Sequence, residues 1–169
     1  MKLTIEIIKY EVLYDIDANT YKRMESNLAG QPDRVQNALS SDSKEELDKS
    51  LLYRYMQTRD AKLRKKLTFC LDKEELTEGL VVTNRLKLDE PSFVYNLNVA
   101  EDFSAASADV LASMMHRYIV DGTIFDWYAY QHMESNVSAD QLEDMERKIP
   151  GLLRKSFASR PLQPFGPAK

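Results

Sequence analysis

Leu3, Ile5 and Ile7 alternate with Lys2, Thr4 and Glu6, a period of two that predicts a short, half-buried strand. From Ile8 the spacing changes. Ile8, Val12, Leu13 and Ile16 share one helical face leading on to Tyr21 and Met24, which predicts a helix over residues 8–26. Residues 27–43 hold Gly30, Pro32, Asn37 and Ser40-Ser41-Asp42-Ser43, with Val35 and Leu39 as the apolar anchors, and read as a loop. Ser43 followed by Glu46 is a capping box: the serine hydroxyl accepts from the third helical N–H and the glutamate reaches back to the cap. The helix it opens carries Leu47, Leu51, Tyr55, Leu63 and Leu67 along one stripe to about residue 71. Farther on, Leu80, Val82, Leu86 and Leu88 alternate, Asp89-Glu90-Pro91 turns the chain, and Phe93, Tyr95, Leu97 and Val99 alternate again. This predicts a β-hairpin over 80–99, with Asn84 as the polar interruption on its inner face.

The segment 104–132 is apolar over more than half its helical circumference. Leu111, Met115, Tyr118, Gly122, Phe125 and Ala129 form one face, and Val110, Met114, Ile124 and Tyr128 an adjoining one, so this helix should be central. Gly122 costs about 1 kcal/mol relative to alanine inside a helix, which implies a close crossing there. Val137-Ser138-Ala139-Asp140-Gln141-Leu142 combines a capping box from Ser138 to Gln141 with a hydrophobic staple from Val137 to Leu142. Leu142, Met145, Ile149, Leu152 and Leu153 continue that helix toward Ser159, with a kink or division expected at Pro150-Gly151. Beyond it Pro161, Pro164 and Pro167 recur at the polyproline II interval, and with Phe165 they read as an extended arm that docks on a partner, the alternative being a disordered terminus whose prolines only prevent helix. The expected architecture is therefore mainly α, of the α+β class: a bundle of about four helices with an inserted hairpin and a short N-terminal strand. One domain, residues 1–159, would carry the loop 27–43 and the hairpin 80–99, followed by the arm 160–169.

Composition narrows the functional classes. The 169 residues are 43% hydrophobic and 30% charged, close to the soluble globular average, and fit one domain. A net charge of −4 gives no overall field for nucleic acid. The single Cys70 excludes an intrachain disulfide framework and a Cys-rich zinc site. With no membrane-length apolar run and no signal-peptide pattern at Met1-Lys2-Leu3, the chain is expected to stay where it is made. His116 and His132 lie about 160° apart on one helix, which rules out a two-histidine metal site on that helix. Serine-nucleophile, phosphate-loop and HExxH patterns are missing, so no catalytic residues, cofactor or metal are assigned.

Local charge offers three candidates. Arg59, Lys62, Arg64, Lys65 and Lys66 form a basic cluster whose cations complement a helix C-terminus. Used functionally, Arg59, Lys62, Lys65 and Lys66 would make sequence-independent, salt-sensitive phosphate contacts with DNA. Asp140, Glu143 and Asp144 suit a helical first turn without binding anything. His116, Arg117 and Asp121 follow ordinary i,i+4 logic, and an enzyme would need a pocket with convergent polar groups around them. Trp127, Tyr128 and Tyr130 read as core or interface.

Met114-Met115-His116-Arg117-Tyr118-Ile119-Val120, continuing to Phe125-Asp126-Trp127-Tyr128, resembles the central helix of small proteins from the structural-gene clusters of tailed phages and prophages of gut Bacteroides-type bacteria. Phe93-Val94-Tyr95-Asn96-Leu97 before it, Glu11-Val12-Leu13-Tyr14-Asp15-Ile16 near the start, and the basic, proline-containing Arg154-Lys155-Ser156-Phe157-Ala158-Ser159-Arg160-Pro161 extend the likeness. The order of elements is similar to that of head-to-tail connector or adaptor proteins beneath the portal. The resemblance implies a non-enzymatic virion component assembled in the bacterial cytoplasm. It would work as a cyclic homo-oligomer with portal and tail proteins as neighbours, without membrane contact. The loop 27–43 departs from that pattern. The alternative is a cytoplasmic helical protein that binds nucleic acid through the cluster 59–66.

Overall fold

Strand-forming alternation at both Lys2–Ile8 (β1) and Ser92–Asn98 (β2) is satisfied by pairing these two segments with each other, antiparallel, with Leu3 opposite Leu97, Ile5 opposite Tyr95 and Ile7 opposite Phe93. The computed structural model describes residues 1–26, 46–72 and 85–158, and the side chains among them other than those of 21–26, 46–49 and 155–158. The loop 27–43, the capping Ser43, residues 80–84 with Asn84, and the arm 160–169 lie outside the described residues.

Four helices accompany the sheet: α1 (Lys9–Ser26), α2 (Glu46–Leu67), α3 (Ala105–Tyr130) and α4 (Ala139–Ala158). The mainly α class with a small β part holds, while the hairpin is corrected. Phe93, Tyr95 and Leu97 form a strand, but residues 85–88 of the expected first arm form no ladder and β1 takes the partner position. Ile5 and Ile7 bury their side chains on the same face as Phe93, Tyr95 and Leu97, so this long-range pairing closes the core in a way a local hairpin would not. The other edge of β2 is covered by the chain leaving α2, where Asp72 N–H donates to Asn96 O at 2.9 Å and Leu71 bridges Leu97. Covering that edge blunts its capacity to pair with another chain.

α3 packs against β1 and every other helix, as its apolar circumference predicts. Leu111, Met115, Tyr118 and Gly122 are buried as expected. Toward its C-terminal end the buried arc rotates to Ile124, Trp127 and Tyr128, leaving Phe125 half-buried and Ala129 and Tyr130 exposed, and near its start Val110 is exposed as well. A helix with neighbours on several sides buries a wide arc, and a single stripe cannot fix its phase. Trp127 is fully buried, and its indole N–H meets no acceptor among the described residues. On α2 the deepest positions are Leu52, Met56, Leu63 and Leu67, and Leu51 and Tyr55 sit half-buried beside them.

α4 opens with the expected reciprocal cap: Gln141 N–H donates to Ser138 Oγ at 3.2 Å, and Ser138 N–H to Gln141 Oε1 at 3.1 Å. Pro150 does not divide it. The proline removes one intrahelical donor, yet the fully buried Ile149 and Leu153 on either side carry the helix through to Ala158. α3 ends with His132 in the left-handed conformation at φ 55°, where its N–H bonds Ala129 O and the next N–H, of Met133, bonds Tyr128 O. These two bonds satisfy carbonyls that the helix end would otherwise leave open.

Candidate functional site

The basic cluster of α2 is not a single surface. Arg59 and Asp60 fall between Met56 and Leu63 on the inward side of the helix, and Arg59 is only 4% exposed. Its guanidinium grips Asp126 of α3 with two bonds, Nε to Oδ2 at 2.7 Å and Nη2 to Oδ1 at 2.6 Å. Burial opposes the Arg59 charge, but Asp126 outweighs it and the group stays cationic. Gly122 makes room for this side chain, because a Cβ there would sit 2.6 Å from Arg59 Cδ. The close crossing expected at Gly122 is thus filled by a buried arginine. Arg59 is corrected from phosphate contact to internal ion pair.

Two further cations of the cluster are also engaged. Arg64 donates to both Asp60 oxygens and to Val94 O, while the buried Tyr95 hydroxyl donates to Asp60 Oδ1 at 2.6 Å. Burial and the neighbouring Asp60 carboxylate push the Tyr95 phenol far above its ordinary range. Lys66 pairs with Glu146 of α4 at 3.3 Å, and Tyr118 O–H donates to that same carboxylate at 2.7 Å. Burial, then the bond to Glu146, raises the Tyr118 phenol to about 12. Lys62 and Lys65 remain as exposed cations on the outer side of α2. On α4, Asp144 is held by Arg147 and Lys148, whose hydrogen bonds keep its carboxyl below the usual range, with Asp140 and Glu143 exposed nearby. Cys70 is buried, and burial lifts its thiol to about 11, far from a reactive thiolate.

The other side of α3 is open. A cleft of about 980 Å³ lies between the β1–α1 segment, α3 and the start of α4. Ile7, Val120, Ile124 and Tyr128 give it an apolar floor. Glu6, Glu11, Asp15 and Asp121 bring four carboxylates to its lining, against Arg117 and His116. Here the three residues singled out on α3 do meet. Arg117 Nε lies 3.2 Å from Asp121 Oδ2, the expected i,i+4 pair, whereas His116 reaches across to α1, its Nε2 2.8 Å from Asp15 Oδ2. Burial raises the Asp121 carboxyl above its ordinary range, with Arg117 countering only in part. Ser113 stands on the same wall one turn before His116, whose ring nitrogen bonds Asp15. What the arrangement can do is receive a cationic, partly apolar group.

Sequence reasoning placed His116, Arg117 and Asp121 on one helix but missed Glu11 and Asp15. Their spacing on α1 beside the buried Val12 and Ile16 was the available signal that this wall borders α3. Among the described residues no cluster of metal-ligating side chains occurs and no helix is long and apolar enough to cross a membrane. Compared with protein families, curated proteins and solved structures, the chain matches none.

Proposed function

We propose that the protein is a non-enzymatic structural subunit of a phage virion, a head-to-tail connector or adaptor that works as a homo-oligomeric ring with portal and tail proteins as its neighbours. The observation that carries this reading is the outer face of α1, where Tyr10 and Tyr14 stand one turn apart at 72% and 60% exposure. Large aromatic side chains left in water at helical spacing suit burial against another protein, since tyrosine is enriched at interface cores. The mainly helical domain with a small sheet agrees with the resemblance that prompted the proposal. The nucleic-acid alternative is weakened, because Arg59 is committed to Asp126, Arg64 to Asp60 and Lys66 to Glu146. That leaves Lys62 and Lys65 as its contacts.

Native mass measurement tests the reading. The purified chain should give a discrete multiple of its 19.5 kDa mass, alone or with the portal and tail proteins of its genome. Tyr10→Ser with Tyr14→Ser should lower that mass while leaving the thermal midpoint within a few degrees. A monomer at all concentrations that joins no virion protein would defeat it.

A further inference from the structure

The cleft beside α3 has a definite chemical preference, and the rest of the chain contains a segment that meets it. Its floor is apolar and its wall acidic, and Glu11 has no ion pair among the described residues. Residues 159–169 carry Arg160 and Lys169 and no acidic residue, with Leu162 and Phe165 as apolar groups between prolines. Charge complementarity and an apolar surface on both sides are what a docked segment needs.

We propose that the segment 159–169 of a second copy of this chain occupies the cleft, with Arg160 against the carboxylates of Glu11 and Asp15 and Phe165 over the apolar floor. The segment's own copy cannot supply these anchors. α4 starts at the cleft, where Val137 and Gln141 line it, and runs away to Ala158. At about 1.5 Å per helical residue the two ends stand roughly 26 Å apart. Arg160 follows Ala158 by two residues and can extend at most about 7 Å from it, while Phe165 in a polyproline conformation reaches about 22 Å. Arg160 therefore falls well short of its own cleft, so the two anchors cannot both come from the same copy. The three prolines favour an extended segment, which loses less conformational entropy on docking than a free coil.

A segment of one copy entering the cleft of the next is a heterologous contact, the kind that closes a ring when the rotation between subunits allows it. The inference rests on the homo-oligomer reading above and names the contact that holds the oligomer together.

Charge reversal in the full chain tests it, read by light scattering over a dilution series, with circular dichroism confirming that each variant folds. Arg160→Glu and Glu11→Arg should each raise the dissociation concentration by about tenfold or more. The double variant should recover much of the loss, and added salt should weaken the wild-type contact. Mixing the two single variants gives a further test. The mixture holds the wild-type pair in one direction and the reversed pair in the other, so it should assemble more tightly than either variant alone. Single variants that assemble like the wild type would overturn the proposal while leaving the homo-oligomer reading standing. A wild-type chain that is monomeric at every concentration would overturn the second copy as occupant, and the homo-oligomer reading falls with it only where no virion protein is joined either. Loss in the singles without recovery in the double, or without recovery on mixing, would refute the Arg160–Glu11 pairing.

Discussion

The two sides of α3 treat charge in opposite ways. Toward α2 and α4 each engaged charge is matched: Arg59 with Asp126, Arg64 with Asp60, Lys66 with Glu146. Toward β1 and α1, four carboxylates share one arginine and one histidine around an open cleft. The matched side locks three helices in register, since a bidentate arginine tolerates little displacement. The unmatched side keeps charge near water, where it costs less to hold and remains free to meet a partner. Matched pairs and spare carboxylates are thus divided between the two faces of one helix, the division on which the docking proposal rests.

The sharpest way to break this contrast is to remove a matched cation. Arg59→Ala leaves Asp126 without its partner at the α2–α3 crossing and opens space beside Gly122. It should destabilise the fold by about 3–5 kcal/mol, as breaking other buried ion pairs does. Lys62→Ala, one turn along on the exposed side, should change stability by less than about 0.5 kcal/mol. Urea denaturation of both variants checks the pair. Similar losses would mean that the two sides of α2 do not differ as described.

Gly122→Ala comes next. The added methyl would stand 2.6–2.9 Å from the Arg59 side chain, so the guanidinium must shift and loosen its grip on Asp126. A cost of about 1–3 kcal/mol is expected from overpacking, even though alanine is the better helix former. With Arg59→Ala already in place the space is free, and the same substitution should become neutral or stabilising. A double-mutant cycle reads this as a strong coupling between positions 59 and 122, and additive effects would contradict it.

These examples also show what the sequence makes legible. Periodicity located all four helices and both strands, because each signal is contained within its own element. The partner of β2 was hidden, because β1 lies some 90 residues away and nothing local distinguishes that pairing from a hairpin. Arg59 was misread as a surface cation for a similar reason, its carboxylate being 67 residues distant. A signal did exist: Met56, Arg59, Asp60 and Leu63 occupy one helical stripe, and Gly122 with Asp126 one turn later offers space and counter-charge. The cleft was half legible. His116, Arg117 and Asp121 were in view, but Asp15 enters only through the packing of α1 on α3.

The smallest expected effect separates the two sides by the sign of their pH dependence. Burial works against the Glu146 charge, but the Tyr118 hydroxyl and Lys66 overcome it, and its carboxyl is held below the ordinary value of 4.5. The unfolded chain then binds more protons than the folded one in the window just below that value. This stabilisation is complete above the ordinary value and is lost as the pH falls through the lowered one. Asp121 runs the other way. Burial raises its carboxyl above 3.8 despite Arg117, so the folded chain holds the proton more tightly and stability falls as the pH climbs through the window above that value. At neutral pH the cost of ionised Asp121 is fully present. Asp121→Asn should therefore raise the thermal midpoint at pH 7 and lose that advantage in acid, whereas Glu146→Gln should lower the midpoint at pH 7 and flatten the acid limb of the stability curve. Melting curves from pH 3 to 7 decide the matter: two variants shifting in the same direction at pH 7 would mean that both faces of α3 handle buried carboxylates alike. A stabilising Asp121→Asn would mark the cleft wall as a place where the fold bears a cost that a bound cationic segment could offset.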